Sequence, residues 1–558
     1  MYGFMYHARG LVRTNLRIGF ISDVVEDLMK RNSRIGLMVS LSLMLFMVTL
    51  VSAFGQPLPV RKTESREIPD TVKKSEKIQL TIDRVVKYLL EQNLDVKKAV
   101  LDYKIANSEL LRYGSRYDTG LYGKTNYSSA RKAPEDPSAR FQGSETISNT
   151  YEVGASRNFS TGTRIKIAVN SLYQNVKGAE INLGSQGSIN LGGEGYQSEV
   201  AVSLSQELLK NPFGINDRLS EEVIGNSAEI QKRLVTHYLA SLLVEALVGY
   251  WNVSVAEQSL ETARIGYTST VSIRDLVERK RYLGLSETEE VLDWNSKVLQ
   301  SKNTLDIAEK NLYEARLAVI RILNLKSGTT FDIGTIFQTT PPEIPFEQAI
   351  KDAFAKRVDI RNQRTVLENS RLEYRIASNN VYPSMQLNLS AGNKDYSLES
   401  YSGTFDDINR QWSVGLEMTY PLGNTEAEVK IRDAVINNRR NEIGLKNLER
   451  TVRDEIDMAI RNCGVLFSVY QQTKKSQDFS KKYYYQVLRR FRLGKYDSVQ
   501  LKLALDSYIG MRQSELKSLV DYNVALLRRD LSRYVIFENY NIDINTIMER
   551  EVKKNGNQ

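Results

Sequence analysis

Catalysis and metal binding need reactive groups within reach of one another, and this chain has few of them. It contains one cysteine, Cys463, and two histidines, His7 and His237. A thiolate or imidazole metal site draws on about four such ligands at close spacing, so no metal centre is expected. No glycine-rich phosphate loop and no Ser/His/Asp order stands out. His237 sits beside Tyr238 and Leu239 in a helical stretch and reads as a packed or exposed side chain. Cys463, also in a helical stretch, reads as a small packing residue. The run Tyr483-Tyr484-Tyr485 covers most faces of a helix, which suits packing and lining better than a binding site. The expectation is a protein with no catalytic residue, no cofactor and no metal.

The elements around these residues carry more information. The chain has 558 residues, 26% of them charged and only 11 of them proline, which argues against global disorder. Its net charge of +9 is spread among interspersed acids and bases, so there is no nucleic-acid stripe. Lys30, Arg31 and Arg34 precede an apolar run from Leu37 to Ala53 that ends in Val51-Ser52-Ala53. This pattern reads as a secretory signal peptide over 1–55, with 1–28 as a mis-assigned upstream extension. No later run of some 18 apolar residues is apparent, so any membrane insertion would have to be as a barrel.

The rest of the chain repeats itself. Leu80–Lys97 aligns without gaps to Ile344–Arg361, with Val86 on Ile350, Leu90 on Phe354, Val96 on Ile360 and Asp95 on Asp359. Gly284 and Gly494 occupy matching turns. The first copy is longer by about 54 residues around 130–195, a Gly/Ser/Asn-rich stretch that suits long loops and an added hairpin. The division expected is a linker over 56–79, a first repeat over 80–325, a connector over 326–343, a second repeat over 344–535 and a tail over 536–558. Within the repeats, Met385, Leu387 and Leu389 alternate with polar residues, as do Trp412, Val414, Leu416 and Met418. Val200, Val202 and Leu204 alternate similarly, and so do Ile165, Ile167 and Val169. Lengths of ~9–11 residues suit tilted membrane strands. Trp412 and Tyr420 lie where an aromatic girdle at the lipid boundary would be. One chain supplies four such strands, or six; four cannot close a barrel wide enough to conduct, so several chains would have to share it. Leu219–Tyr282 and Thr425–Leu493 are proline-free, and Leu239, Leu242, Ala246, Gly249, Val253 and Ala256 step by threes and fours as in a coiled coil.

This order of elements, twice over, resembles the TolC-like outer-membrane efflux protein family across roughly residues 78–540. The residues that carry it are the two helix starts, the strand entry Val381-Tyr382-Pro383-Ser384, the strand exits at Gln206-Glu207-Leu208-Leu209 and Tyr420-Pro421-Leu422, and the two glycine turns. The resemblance implies an α+β membrane protein. It would be a homotrimer whose 12-stranded β-barrel takes four strands per chain and continues into a periplasmic α-helical barrel. It also implies a passive outer-membrane channel in efflux or type I secretion, docked on a periplasmic adaptor and an inner-membrane pump. The competing expectation is an exported, non-conducting coiled coil that bridges envelope layers.

In that family the helical tips form the entrance and meet the adaptor. The resemblance puts this role on Leu283, Gly284, Leu285 and Ser286, and on Leu493, Gly494 and Lys495. One gate carboxylate matches Glu290. The basic gate partner falls at Tyr496, and two aspartate-ring positions fall at Gln500 and Leu503, so the family's ionic gate is incomplete here. Asp497, Asp506 or Lys495 would substitute, or Phe491 would constrict the entrance by apolar contact.

Overall fold

The computed structural model describes residues 78–543 except 134, 137, 183–186, 335–336, 342–344 and 406–408. The signal peptide, most of the linker and the end of the C-terminal tail lie outside the described residues.

A three-residue strand is followed by two helices, α1 (Ile82–Gln92) and α2 (Leu94–Gly114). Thr81 caps α1 by accepting from the Arg84 amide, and the Asn93 side chain caps α2 by accepting from the Val96 amide at 2.8 Å. The long pair α3 (Ile215–Tyr282) and α4 (Thr288–Ile322) has 68 and 35 residues. The second half answers with α5 (Phe346–Lys356), α6 (Val358–Asn379), α7 (Thr425–Arg492) and α8 (Ser498–Ser532), the last two again of 68 and 35 residues. A 68-residue helix is on the order of 100 Å long. One stretch of α3 is long and apolar enough to cross a membrane, contrary to the reading of the sequence. Leu239, Leu243, Leu247 and Tyr250 of α3 are instead buried in the largest core cluster.

That core surrounds a two-stranded parallel sheet, β1 (Ile78–Leu80) with Phe331–Ile333 of the connector. The fully buried Tyr250 hydroxyl lies 3.1 Å from both the Leu80 and Gly334 carbonyls, tying the connector to α3. Asn523 of α8 grips the Gln338 backbone through both its amide and its carbonyl. Nearby, Arg357 pairs with Asp359 at 2.6 Å and with Glu455 at 2.7 Å, and Arg533 pairs with Asp352. Burial works to raise both aspartate pKa values, but the adjacent guanidinium groups outweigh it and hold both below the ordinary carboxylate value. Carboxylates depressed in the folded state add stability that is complete above the unfolded value of about 3.9 and fades as pH falls through the folded value. Thermal unfolding should therefore lose stability below about pH 4, and Asp352→Asn should flatten part of that acid limb.

The main sheet differs from the four strands per chain expected. It has six, all antiparallel, in the spatial order Arg410–Thr419, Ser384–Ser397, Gly193–Glu207, Thr163–Lys177, Glu145–Asn158 and Gly120–Arg131. These are β2 (Gly120–Arg131), β3 (Glu145–Asn158), β4 (Thr163–Lys177), β5 (Gly193–Glu207), β7 (Ser384–Ser397) and β8 (Arg410–Thr419), with β6 denoting Phe331–Ile333. The long first-repeat segment thus builds strands as well as loops. A small hairpin, Glu180–Asn182 with Ser188–Asn190, lies between β4 and β5.

Candidate functional site

The sheet sorts its side chains by face because residues alternate along each strand. One cross-strand row reads Trp412, Ala391, Val202, Ile167, Ala155 and Leu121 through all six strands. The next row on the opposite face reads Ser413, Ser390, Ser203, Lys166, Ser156 and Gly120. The apolar face has no cover: Trp412 is 78% exposed and Leu121 72%, and Val414, Leu416 and Met418 are also exposed. An uncovered apolar band this wide marks an interaction surface. The polar face carries its own network, with Lys166 donating to Glu152 at 2.8 Å and the Tyr122 hydroxyl donating to it at 2.9 Å. The Tyr122 ring lies over Gly154, where a Cβ would meet the Tyr122 hydroxyl at 2.6 Å.

Aromatic residues mark both ends of the apolar alternation in β8. Trp412 lies within it, near the start of β8, and Tyr420 follows β8. The sequence reading missed a tyrosine set further along. Tyr127, Tyr173 and Tyr196 share one row on the band's own face. The Tyr173 and Tyr196 rings are 5.2 Å apart, and Tyr401 meets Tyr196 edge-on at 4.8 Å. The chain's richness in tyrosine was visible, but the row exists only once the strand register is known.

The other end of the long helices carries the residues singled out from sequence. Leu283 ends α3 and Leu493 ends α7, and each is followed by a glycine at φ 71°. Leu285 donates its amide to the Lys280 carbonyl, and Gly284 to that of Arg281. Lys495 and Gly494 repeat the pattern on Arg490 and Phe491. Both turns are therefore Schellman caps, which need a left-handed residue after the helix. Leu283, Leu285 and Leu493 are exposed. The last turns of α3 and α7 hold Arg279, Lys280 and Arg281 and Arg489, Arg490 and Arg492.

Behind the turns the two hairpins share a core of Ile273, Val277, Val291, Trp294, Tyr484, Val487, Phe491, Leu501 and Tyr508 with neighbouring residues. Trp294 is fully buried and donates Nε1–H to the Ser498 hydroxyl at 2.5 Å. Tyr484 stacks on Tyr508, while Tyr483 and Tyr485 remain exposed. Two ion pairs cross reciprocally between α4 and α8, Lys297 to Asp506 at 2.6 Å and Lys502 to Asp293 at 2.7 Å.

This arrangement redistributes the gate residues expected from sequence. Phe491 is buried, with the Lys280 ammonium 4.0 Å above its ring, so its side chain is taken up by packing and does not project into open space. Asp506 already has a partner in Lys297. Asp497 caps α8 by accepting from the Gln500 amide at 2.7 Å. Glu290 is bonded to the Ser286 hydroxyl within its own turn. The Tyr496 hydroxyl accepts from Arg490 at 3.3 Å. Gln500 and Leu503 are exposed. Among the described residues no group of three or more His, Cys, Asp or Glu side chains could hold a metal ion.

No protein-family model and no curated protein matches the chain. Solved structures do. The outer-membrane channel OprN superposes with a TM-score of 0.61 at 15% identity, covering 81% of this chain and 89% of that one. CusC, described as undergoing conformational changes on folding and transmembrane channel formation, gives 0.60 at 12% identity over 85% and 96%. The Campylobacter jejuni outer-membrane channel CmeC gives 0.59 at 16% identity over 83% and 90%. At such identities the likeness is one of fold, and the fold extends over nearly the whole of each of these channels.

Proposed function

We propose that this chain is a TolC-like outer-membrane channel protein, three copies of which form one conduit. Its six-stranded sheet would cross the outer membrane, and its long helices would line a passage through the periplasm. The observation that carries this reading is the continuous, uncovered apolar face of the sheet, backed by a polar face, at the end of helices on the order of 100 Å long. In water such a face is a liability; against lipid it is what a barrel wall requires.

Free flanks on the helices support a ring. α4 exposes Leu292, Leu299 and Tyr313 at heptad spacing, and α7 exposes Ile436, Ile443, Met458, Val465 and Phe479 along its length. Within one chain α3 packs against α4 and α8, and α8 packs against α7, so α4 and α7 end the row. Copies placed side by side would cover both stripes. The same surface on every copy then meets a different surface on its neighbour, a contact that closes into a ring.

The conduit is passive, opening at the helical tips, where Leu283, Gly284, Leu285 and Ser286 and Leu493, Gly494 and Lys495 would meet a periplasmic adaptor. The adaptor would in turn bring an inner-membrane pump. Closure at the tips would rest on the shared core around Trp294 and on the Lys297–Asp506 and Lys502–Asp293 pairs rather than on an aspartate ring. Efflux and type I secretion both fit such a duct. The test is assembly: protein purified from outer membranes should run as an oligomer of three chains on a denaturing gel and fall to one chain on boiling. A monomer extracted from the soluble periplasmic fraction would contradict the reading.

A further inference from the structure

The two halves of the chain differ at the sheet. The second half inserts one hairpin, β7–β8, between α6 and α7, whereas the first inserts two, β2–β3 and β4–β5, between α2 and α3. We infer that all six strands enter the barrel wall, that β2 of each copy pairs with β8 of the next, and that the closed barrel has eighteen strands. This inference rests on the channel reading above.

Four observations carry it. First, β2 and β8 are the two edges of the sheet, 12 and 10 residues long, and both are exposed nearly throughout. With six alternating strands these edges run in opposite directions, so the seam between copies continues the antiparallel ladder. An unpaired edge of that length is a template for another strand.

Second, the edges of the sheet and of the helix row coincide. In the half of the helical layer next to the sheet α2 packs on α3, α3 on α6 and α6 on α7, so there α2, which leads into β2, and α7, which follows β8, end the row. Both layers close on the same neighbour.

Third, the additional strands are built into the wall. The turn between β3 and β4 is seated against the start of α3, where a Cβ on Gly214 would lie 1.9 Å from the Ser160 carbonyl oxygen. Gln206 of β5 donates to the Thr161 carbonyl at 3.1 Å, and Asn158 donates to that of Arg116 at 3.3 Å. Val153 and Ala155 of β3 continue the apolar face.

Fourth, the circumferences agree. Twelve helices side by side at about 9 Å make a ring of about 110 Å. Eighteen strands spaced at about 4.8 Å and tilted by about 40° need about 113 Å, whereas twelve need about 75 Å. The extra hairpin lets the barrel meet the helical ring without a step and widens the exit about one and a half times at equal tilt.

Imaging the unmodified oligomer at a resolution that counts strands tests this, together with cysteine cross-linking of full-length protein. Asn126→Cys in β2, combined with Ser413→Cys in β8, places both thiols on the polar face, and neighbouring β2 positions (Lys124→Cys, Ser128→Cys) scan the register. The expected result is eighteen strands and disulfide-linked dimers and trimers. A closed barrel of twelve strands, or cross-linking of Ser413→Cys to Asn170→Cys in β4 instead, would overturn the inference and leave the channel reading standing. An assembly without a closed barrel would overturn both.

Discussion

Leu416→Arg should prevent the protein from assembling in the outer membrane. In the free chain Leu416 is 59% exposed, and an arginine on a water-facing surface changes stability by no more than about 0.5 kcal/mol. If the same position faces the middle of a bilayer, each arginine costs about 2–4 kcal/mol, repeated in every copy. The prediction is loss of heat-labile oligomer and accumulation of degraded or periplasmic chain. Ser413→Arg, three residues away on the polar face, should still assemble, because that face looks into water. Comparable assembly of both variants would mean that the apolar face does not meet lipid.

Trp294→Ala should separate the two helical hairpins at their tips while leaving the sheet intact. Trp294 is fully buried at the heart of the cluster that joins α3, α4, α7 and α8. Removing a buried tryptophan typically costs about 3–5 kcal/mol, and the Ser498 hydroxyl would lose its partner. The crossing ion pairs are partly exposed and offset little of this, since such pairs contribute about 0–1 kcal/mol each. Amide exchange should accelerate at the C-terminal ends of α3 and α7 and at the starts of α4 and α8, with protection unchanged in β2–β8. Trp294→Phe keeps most of the packing and should lose only about 1 kcal/mol for the hydrogen bond. Unchanged exchange at the tips in the alanine variant would show that another contact holds them.

The same two regions show what the sequence could reveal. The long helices were legible because heptads such as Leu239, Leu242, Ala246 and Gly249 are local patterns. β4, β5, β7 and β8 were legible because each holds a short run of alternating apolar residues: Ile165, Ile167 and Val169; Val200, Val202 and Leu204; Met385, Leu387 and Leu389; and Trp412, Val414, Leu416 and Met418. β2 and β3 were not. Their outward positions include Gly123, Thr125 and Arg157, and the inward Tyr122 covers Gly154, so alternation is blurred on both strands. The stretch from 130 to 195 therefore read as long loops and an added hairpin, and the four strands per chain that the resemblance implied become six.

At the tips, the turns were legible from Gly284 and Gly494, whose left-handed conformation favours glycine. The contacts behind them were not. Lys297 and Asp506 lie 209 residues apart in sequence, as do Asp293 and Lys502. Phe491 was one of the alternatives for closing an opening, beside Asp497, Asp506 and Lys495, and it sits on the inward stripe of α7 with Tyr484 and Val487. A heptad names the buried stripe only when the neighbouring helices are known. The apolar stretch of α3 was overlooked because polar residues interrupt it, and its burial against α1 and the connector gives it a structural role.

The most direct test of the conduit is electrical. Detergent-purified full-length oligomer, added to one side of a planar lipid bilayer, should produce discrete current steps of uniform size, each step one inserted assembly. Repeated preparations that insert into the bilayer but never carry current would contradict the account and favour a non-conducting coiled coil that bridges envelope layers.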